Sequence, residues 1–129
     1  MPTVLIVDND PTLATVFVEL LTDEGYQVDT LLNTNQRAVQ AAVERLEPQC
    51  VVLDGHGVLD YGESWDTAAW LHQRDPVVPT VMLTGHQAAV REAQAQVSPR
   101  SRTAGFVAVL GKPLQLDELV AAVDQAVGD

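Results

Sequence analysis

The sequence predicts an α/β domain built from repeated β-α units around a parallel sheet, and three observations predict it. Short apolar runs rich in β-branched residues alternate with segments of helical period. These runs are mostly apolar throughout, as strands covered on both faces should be. Four of them end in polar groups: Asp8-Asn9-Asp10 after Val4 to Val7, Asp54 after Val51 to Leu53, Thr84 after Val81 to Leu83, and Lys112 after Phe106 to Leu110. In an open parallel sheet the carboxyl ends of the strands share one edge, so groups far apart in sequence meet there around a ligand.

Five β-α units are expected. The first strand, Val4 to Val7, leads into a helix on which Leu13, Val16, Phe17, Leu20 and Leu21 recur at i, i+3, i+4, i+7 and i+8. Pro11 suits the first turn of that helix and Gly25 its stop. The second strand is expected at Val28 to Leu32, and the stripe Val39, Ala42, Val43, Leu46 marks a helix that ends before Pro48. After the third strand, Val51 to Leu53, residues Trp65, Ala68, Ala69 and Leu71 place a third helix over Ser64 to Asp75, closed by Pro76 and Pro79. The fourth strand is Thr80 to Leu83. Beyond it Val90, Ala93 and Val97 carry a helical pattern that Ser98 to Thr103 breaks. Arg91, Arg100 and Arg102, three of the seven basic residues, lie there, so the stretch reads as a solvated loop or as a docking surface for an acidic partner. The fifth strand is Phe106 to Leu110. The last helix carries Leu116, Leu119, Val120, Val123 and Val127, with Asp117 and Glu118 in its first turn, where the helix dipole favours negative charge.

With no repeat or interdomain linker, residues 1–129 read as one domain, long enough to bury a core without disulfide or metal support. The net charge of −11 (7 basic against 18 acidic residues) repels nucleic acid and anionic lipid, so direct nucleic-acid binding is not expected. A single cysteine, Cys50, cannot form an internal disulfide and reads as a small buried thiol, which suits a reducing cytoplasm. The first residues lack a basic leader, and no apolar stretch approaches the roughly 20 residues of a membrane span. A cytoplasmic chain without membrane insertion is the expectation.

The polar groups at the strand ends are those of a metal-assisted phosphoryl site. Asp8, Asn9 and Asp10 project into the mouth, where oxygen ligands bind a divalent ion, and Asp54 adds a carboxylate from the neighbouring strand. Gly55-His56-Gly57 follows, a loop flexible enough to turn a backbone carbonyl, that of His56, toward the metal. Crowded carboxylates repel and demand a cation, and magnesium suits a few carboxylates plus water and phosphate oxygens better than zinc does. Thr84 offers a hydroxyl to a phosphoryl oxygen, and Lys112 an ammonium that neutralises its charge or pairs with Asp54. His56, His72 and His86 are scattered without paired ligand spacing, which argues against zinc.

These residues bring the chain to a known family. Val4-Leu5-Ile6-Val7-Asp8-Asn9-Asp10-Pro11, Val51-Val52-Leu53-Asp54, Val81-Met82-Leu83-Thr84-Gly85 and Gly111-Lys112-Pro113 resemble, in order, the four motifs of the receiver domain of two-component response regulators. The resemblance implies a flavodoxin-like (βα)5 fold, a doubly wound parallel sheet of strand order 2-1-3-4-5. It implies magnesium dependence and phosphoryl transfer to Asp54 from a partner histidine kinase or phosphotransfer protein, as in a phosphorelay. It further implies a downstream protein target and a homodimer formed on phosphorylation.

Several departures stand out. The family usually has two adjacent acids where this chain has Asp8-Asn9, and an aromatic that changes rotamer where it has Val109; Phe106, three residues earlier, reads as core. The interval from Thr84 to Lys112 is several residues longer than usual, and the loop after Asp54 lacks the usual proline. A pseudo-receiver that binds partners without phosphate is therefore the alternative, favoured by Asn9 and Val109 and opposed by Asp54, Thr84 and Lys112. A haloacid-dehalogenase-like phosphatase, with Asp8 as nucleophile and Asp10 as acid/base, also fits Asp8-Asn9-Asp10-Pro11-Thr12-Leu13. It leaves Asp54 without a role and the chain without room for a cap.

Overall fold

The apolar runs pair side by side into one sheet in the computed structural model, which describes residues 2–54, 57–85, 91, 99–111 and 115–128, with backbone alone for 57–64 and 99–101. Strands β1 (Thr3–Val7), β2 (Gln27–Leu31), β3 (Cys50–Asp54), β4 (Thr80–Thr84) and β5 (Ala108–Gly111) are all parallel and lie in the order β2-β1-β3-β4-β5. Among the described residues five helices accompany them: α1 (Pro11–Asp23), α2 (Gln36–Leu46), α3 (Gly57–Gln73), α4 (Pro99–Ala104) and α5 (Leu116–Gly128). The doubly wound, flavodoxin-like architecture and its strand order are those expected.

Alternation along the strands divides the core in two. Val4, Ile6, Cys50, Val52, Val81 and Leu83 face α1 and α5, meeting Phe17, Leu21, Leu119 and Val123. Leu5, Val7, Val51, Leu53 and Met82 face the other way, meeting Val39 and Val43 of α2, Trp65 and Leu71 of α3, and Ala104 of α4. The three central strands are buried on both faces, which is why their sequences do not alternate. The first helix stops as expected: Gly25, at φ 97°, occupies the left-handed region open to glycine, and the Tyr26 N–H donates to the Leu21 carbonyl at 3.1 Å.

Among the boundaries that differ from the sequence expectation, four have a clear physical reason. Strand β2 runs from Gln27 to Leu31 and leaves Leu32 48% exposed, because an edge strand needs only one apolar face. Helix α3 begins at Gly57, seven residues before the expected start, since Gly57 and Gly62 interrupt the apolar stripe without breaking the backbone pattern. The Ser98–Thr103 stretch, expected as a loop, contains α4: Pro99 stands at its first position, where a missing N–H costs nothing, and buried Ala104 packs into the core beside α3. Strand β5 begins at Ala108, because Phe106 spends its apolar surface on Trp65 rather than in the ladder.

Candidate functional site

The register shows which groups meet at the carboxyl edge. Val7 lies opposite Leu53, so Asp8 follows in step with Asp54. Asp54 pairs with Leu83, and Thr84 with Gly111. With neighbouring strands about 4.8 Å apart, Asp8, Asp54 and Thr84 stand at the ends of three adjacent strands. Asp8 continues the parity of Val4 and Ile6, and Asp54 that of Cys50 and Val52, so both carboxylates leave the sheet on the α1–α5 side. Thr84 continues the parity of Met82 and leaves on the α2–α3 side.

All three are buried: Asp8 and Asp54 are 1% exposed and Thr84 0%. Taking an ionised carboxylate out of water is costly unless hydrogen bonds or a cation compensate it. Asp8 is gripped from both sides, its N–H donating to the Leu31 carbonyl at 3.1 Å and its Oδ1 accepting the Asp10 N–H at 2.9 Å. Asn9 and Asp10 are exposed at the rim. Asp10 has a local task as the N-cap of α1, its Oδ1 accepting from the N–H groups of Thr12 at 3.0 Å and Leu13 at 3.2 Å, with Pro11 next in line. The sequence reading missed this role, although Asp-Pro opening an apolar stripe is a helix-start signal.

Among the described residues no three His, Cys, Asp or Glu side chains converge as a metal cluster. The buried donor set is thus Asp8 and Asp54, two hard oxygen ligands. Magnesium commonly takes one or two protein carboxylates and keeps several waters, so this donor set fits it. A closed zinc site needs more ligands than these, mostly nitrogen or sulfur. Lys112, Pro113, His56 and His86 lie outside the described residues. His72 is described, exposed in the last turn of α3, toward the edge where β4 begins. Cys50 is buried as expected, and that burial pushes its thiol up to about 12, which makes it inert as a nucleophile at neutral pH.

Val109 lies opposite Met82 in β4, two residues before Thr84, and is buried with Trp65 and Phe106. The two rings meet edge to face, with centroids 5.5 Å apart and planes at 86°. Large aromatic surface on this face therefore comes from α3 and the approach to β5, while the strand itself presents Val109.

Residues 4–124 match the response regulator receiver domain family. The transcriptional regulatory protein PdtaR of Mycobacterium tuberculosis (strain ATCC 25618 / H37Rv) is 28% identical over 124 residues, covering 96% of this chain and 56% of that protein. The transcriptional regulatory protein TcrA of the same strain is 31% identical over 118 residues, covering 92% of this chain and 43% of that protein. The chain thus spans about half the length of the curated relatives it matches. A response regulator crystal structure from Thermotoga maritima shares the fold with a TM-score of 0.80 at 21% identity, covering 100% of this chain and 99% of that one. The chemotaxis response regulator CheY4 of Vibrio cholerae does so with a TM-score of 0.75 at 20% identity, covering 98% of each chain.

Proposed function

The chain belongs to the response regulator receiver domain family, and from that premise we propose that Asp54 is its phosphoacceptor. The observation that carries this reading is the burial of Asp54 at the end of a central strand, in step with Asp8 and one strand from Thr84. A carboxylate oxygen of Asp54 attacks the phosphorus of a phosphohistidine on a partner histidine kinase or phosphotransfer protein. A P–O bond forms as the P–N bond breaks, and the imidazole leaves. Asp8, Asn9, Asp10, Asp54 and the backbone carbonyl of His56 are the residues that would hold magnesium. When bound, the ion neutralises the phosphoryl oxygens and offsets the repulsion between the two buried carboxylates. Thr84 donates its hydroxyl to a phosphoryl oxygen, and Lys112 supplies a positive charge. Signalling then runs through protein contacts, to a downstream target or a second copy of the chain, and not through nucleic acid, which the charge of −11 repels. A cytoplasmic location fits the lone reduced cysteine, and among the described residues no helix is long and apolar enough to cross a membrane.

Incubation with acetyl phosphate and magnesium, read by intact mass, tests the assignment. The wild-type chain should gain one phosphoryl group, and Asp54→Asn or removal of magnesium should abolish the gain. Phosphate on Asp54→Asn at the wild-type rate would return Asp8 as the nucleophile. A wild-type chain that gains nothing would favour the phosphate-independent interaction module that Asn9 suggests.

A further inference from the structure

Strand β2 forms one edge of the sheet and pairs only with β1. The Gln27 N–H donates to the Pro2 carbonyl and the Leu31 carbonyl accepts from the Asp8 N–H, both toward β1. Backbone groups alternate in direction along a strand, so those of Val28 and Thr30 point outward, and among the described residues no backbone group pairs with them. Edges are commonly blunted by lysine, proline or a bulge. Strand β2 has none of these: its register with β1 runs unbroken, and its one charge is the acidic Asp29. Beside it a groove of about 340 Å³ opens toward α1, lined by Pro11, Ala14, Val18 and Glu19 from the helix and by Thr30 and Leu32 from the strand and its end. Leu32 is 48% exposed there. Val28 packs on the α1–α5 core, so Thr30 stands on the same face, and a side chain at the matching position of a strand added outside β2 would enter this groove.

We propose that β2 takes up an extended segment of a protein partner as a sixth strand, with an aliphatic side chain of that segment in the α1–β2 groove and lysine or arginine side chains beside it. Main-chain pairing supplies the affinity and the groove the specificity. Charge selects the occupant. Residues 1–36 hold six acidic side chains and no Lys, Arg or His, and Asp10, Glu19, Asp23 and Glu24 are exposed. Such a rim attracts a basic segment and repels a second copy of this chain, whose own β2 edge carries the same charges. The edge lies on the flank of the sheet away from β4 and β5 and does not depend on phosphate at Asp54.

The test is an amide-resolved NMR titration of the full chain with the peptide acetyl-Thr-Lys-Thr-Leu-Thr-Lys-Thr-amide. It should shift Val28, Thr30 and Leu32 together with Ala14 and Val18, leave Leu119 to Ala126 unmoved, and bind more weakly as salt is raised. N-methylating the peptide at its leucine and both neighbours removes the donors for strand pairing, and Thr30→Pro removes one from the chain at an outward position that an edge strand tolerates. Each should weaken binding by about tenfold. Glu19→Lys should weaken it by about threefold, and a peptide with glutamate in place of lysine should leave the spectrum unchanged. Equal binding of the N-methylated or the glutamate peptide overturns the proposal, as does a peptide that leaves Val28 and Thr30 unmoved at millimolar concentration. Shifts at β2 on concentrating the chain alone would assign the edge to a second copy and overturn it too. Should Thr30→Pro fail to fold, the comparison of the parent and N-methylated peptides on the wild-type chain decides.

Discussion

The two faces of the sheet are covered in different ways. On one, α1 and α5, each thirteen residues long, lay regular apolar stripes along the strands, with Phe17 fully buried among them. On the other, α2, α3 and the six-residue α4 meet around an edge-to-face aromatic pair drawn from α3 and the approach to β5. The first face positions Asp8 and Asp54 through strand parity and a capped helix. The second receives Thr84, with Val109, Trp65 and Phe106 in the core beneath it. On the proposed phosphoacceptor reading, a pull on the Thr84 hydroxyl would pass to packing assembled from distant residues, while the carboxylates stay on the more regular side.

The largest expected effects come from emptying each face in turn. Phe17→Ala and Trp65→Ala should each cost about 3–5 kcal/mol in denaturant unfolding, the usual cost of a large aromatic lost from a core. Residues on opposite faces share no partners, so the double variant should be additive within about 0.5 kcal/mol. Trp65 and Phe106, by contrast, should show a coupling of about 0.5–1.5 kcal/mol. A Phe17–Trp65 coupling as large as that would break the division into two faces.

Next comes the joint between α4 and β5. Gly105 sits at φ +59°, and a Cβ added there would lie 2.5 Å from the His72 imidazole. Gly105→Ala should destabilise by about 1–3 kcal/mol, combining left-handed strain with a steric clash. Adding His72→Ala should recover the steric part and leave about 1 kcal/mol of backbone strain. Thermal melting of the single and double variants checks this, and no recovery would mean that the backbone carries the whole cost.

The difference between the faces also explains what could be read from the sequence. Strand order aside, which came from the family resemblance, the α1–α5 face was legible because Leu13 to Leu21 and Leu116 to Val127 repeat at helical spacing. The strand ends were legible because each apolar run stops at a polar group. Asp8, Asp54 and Thr84 stand at adjacent strand ends, and the register that places them there is a property of paired strands and not of any one segment. On the other face, α4 and the true start of β5 were missed because both depend on partners far away in sequence: Ala104 packs into the α2–α3 core and Phe106 against Trp65.

A smaller effect belongs to the α1–α5 face, where the hydroxyl of Tyr26, the residue just before β2, donates to Asp124 of α5. Burial and the carboxylate beside it push Tyr26 up from 10 to about 12. The folded chain thus holds this proton more tightly than the unfolded one. Its contribution is complete below pH 10 and is lost as pH rises toward 12. Tyr26→Phe should cost about 1 kcal/mol at neutral pH and should flatten the decline in stability between pH 10 and 12. The same decline in wild type and variant would place its origin in Cys50, which burial shifts in the same direction.

The smallest change tests how local that face is. Asn9→Asp adds a negative charge at the rim of a site with two buried carboxylates, so it should tighten magnesium binding by roughly tenfold, as one added charge a few ångströms from a divalent ion in a largely solvated setting implies. Asp10→Asn makes the opposite test, since asparagine caps a helix as well as aspartate does while carrying no charge. With Asp10 acting through its hydrogen bonds to the Thr12 and Leu13 N–H groups, Asp10→Asn should leave both stability and magnesium affinity close to wild type. Calorimetric titration with magnesium separates the two residues. A loss of affinity in Asp10→Asn with no gain in Asn9→Asp would show that the capping carboxylate also reaches the ion, and that Asn9 turns away from it.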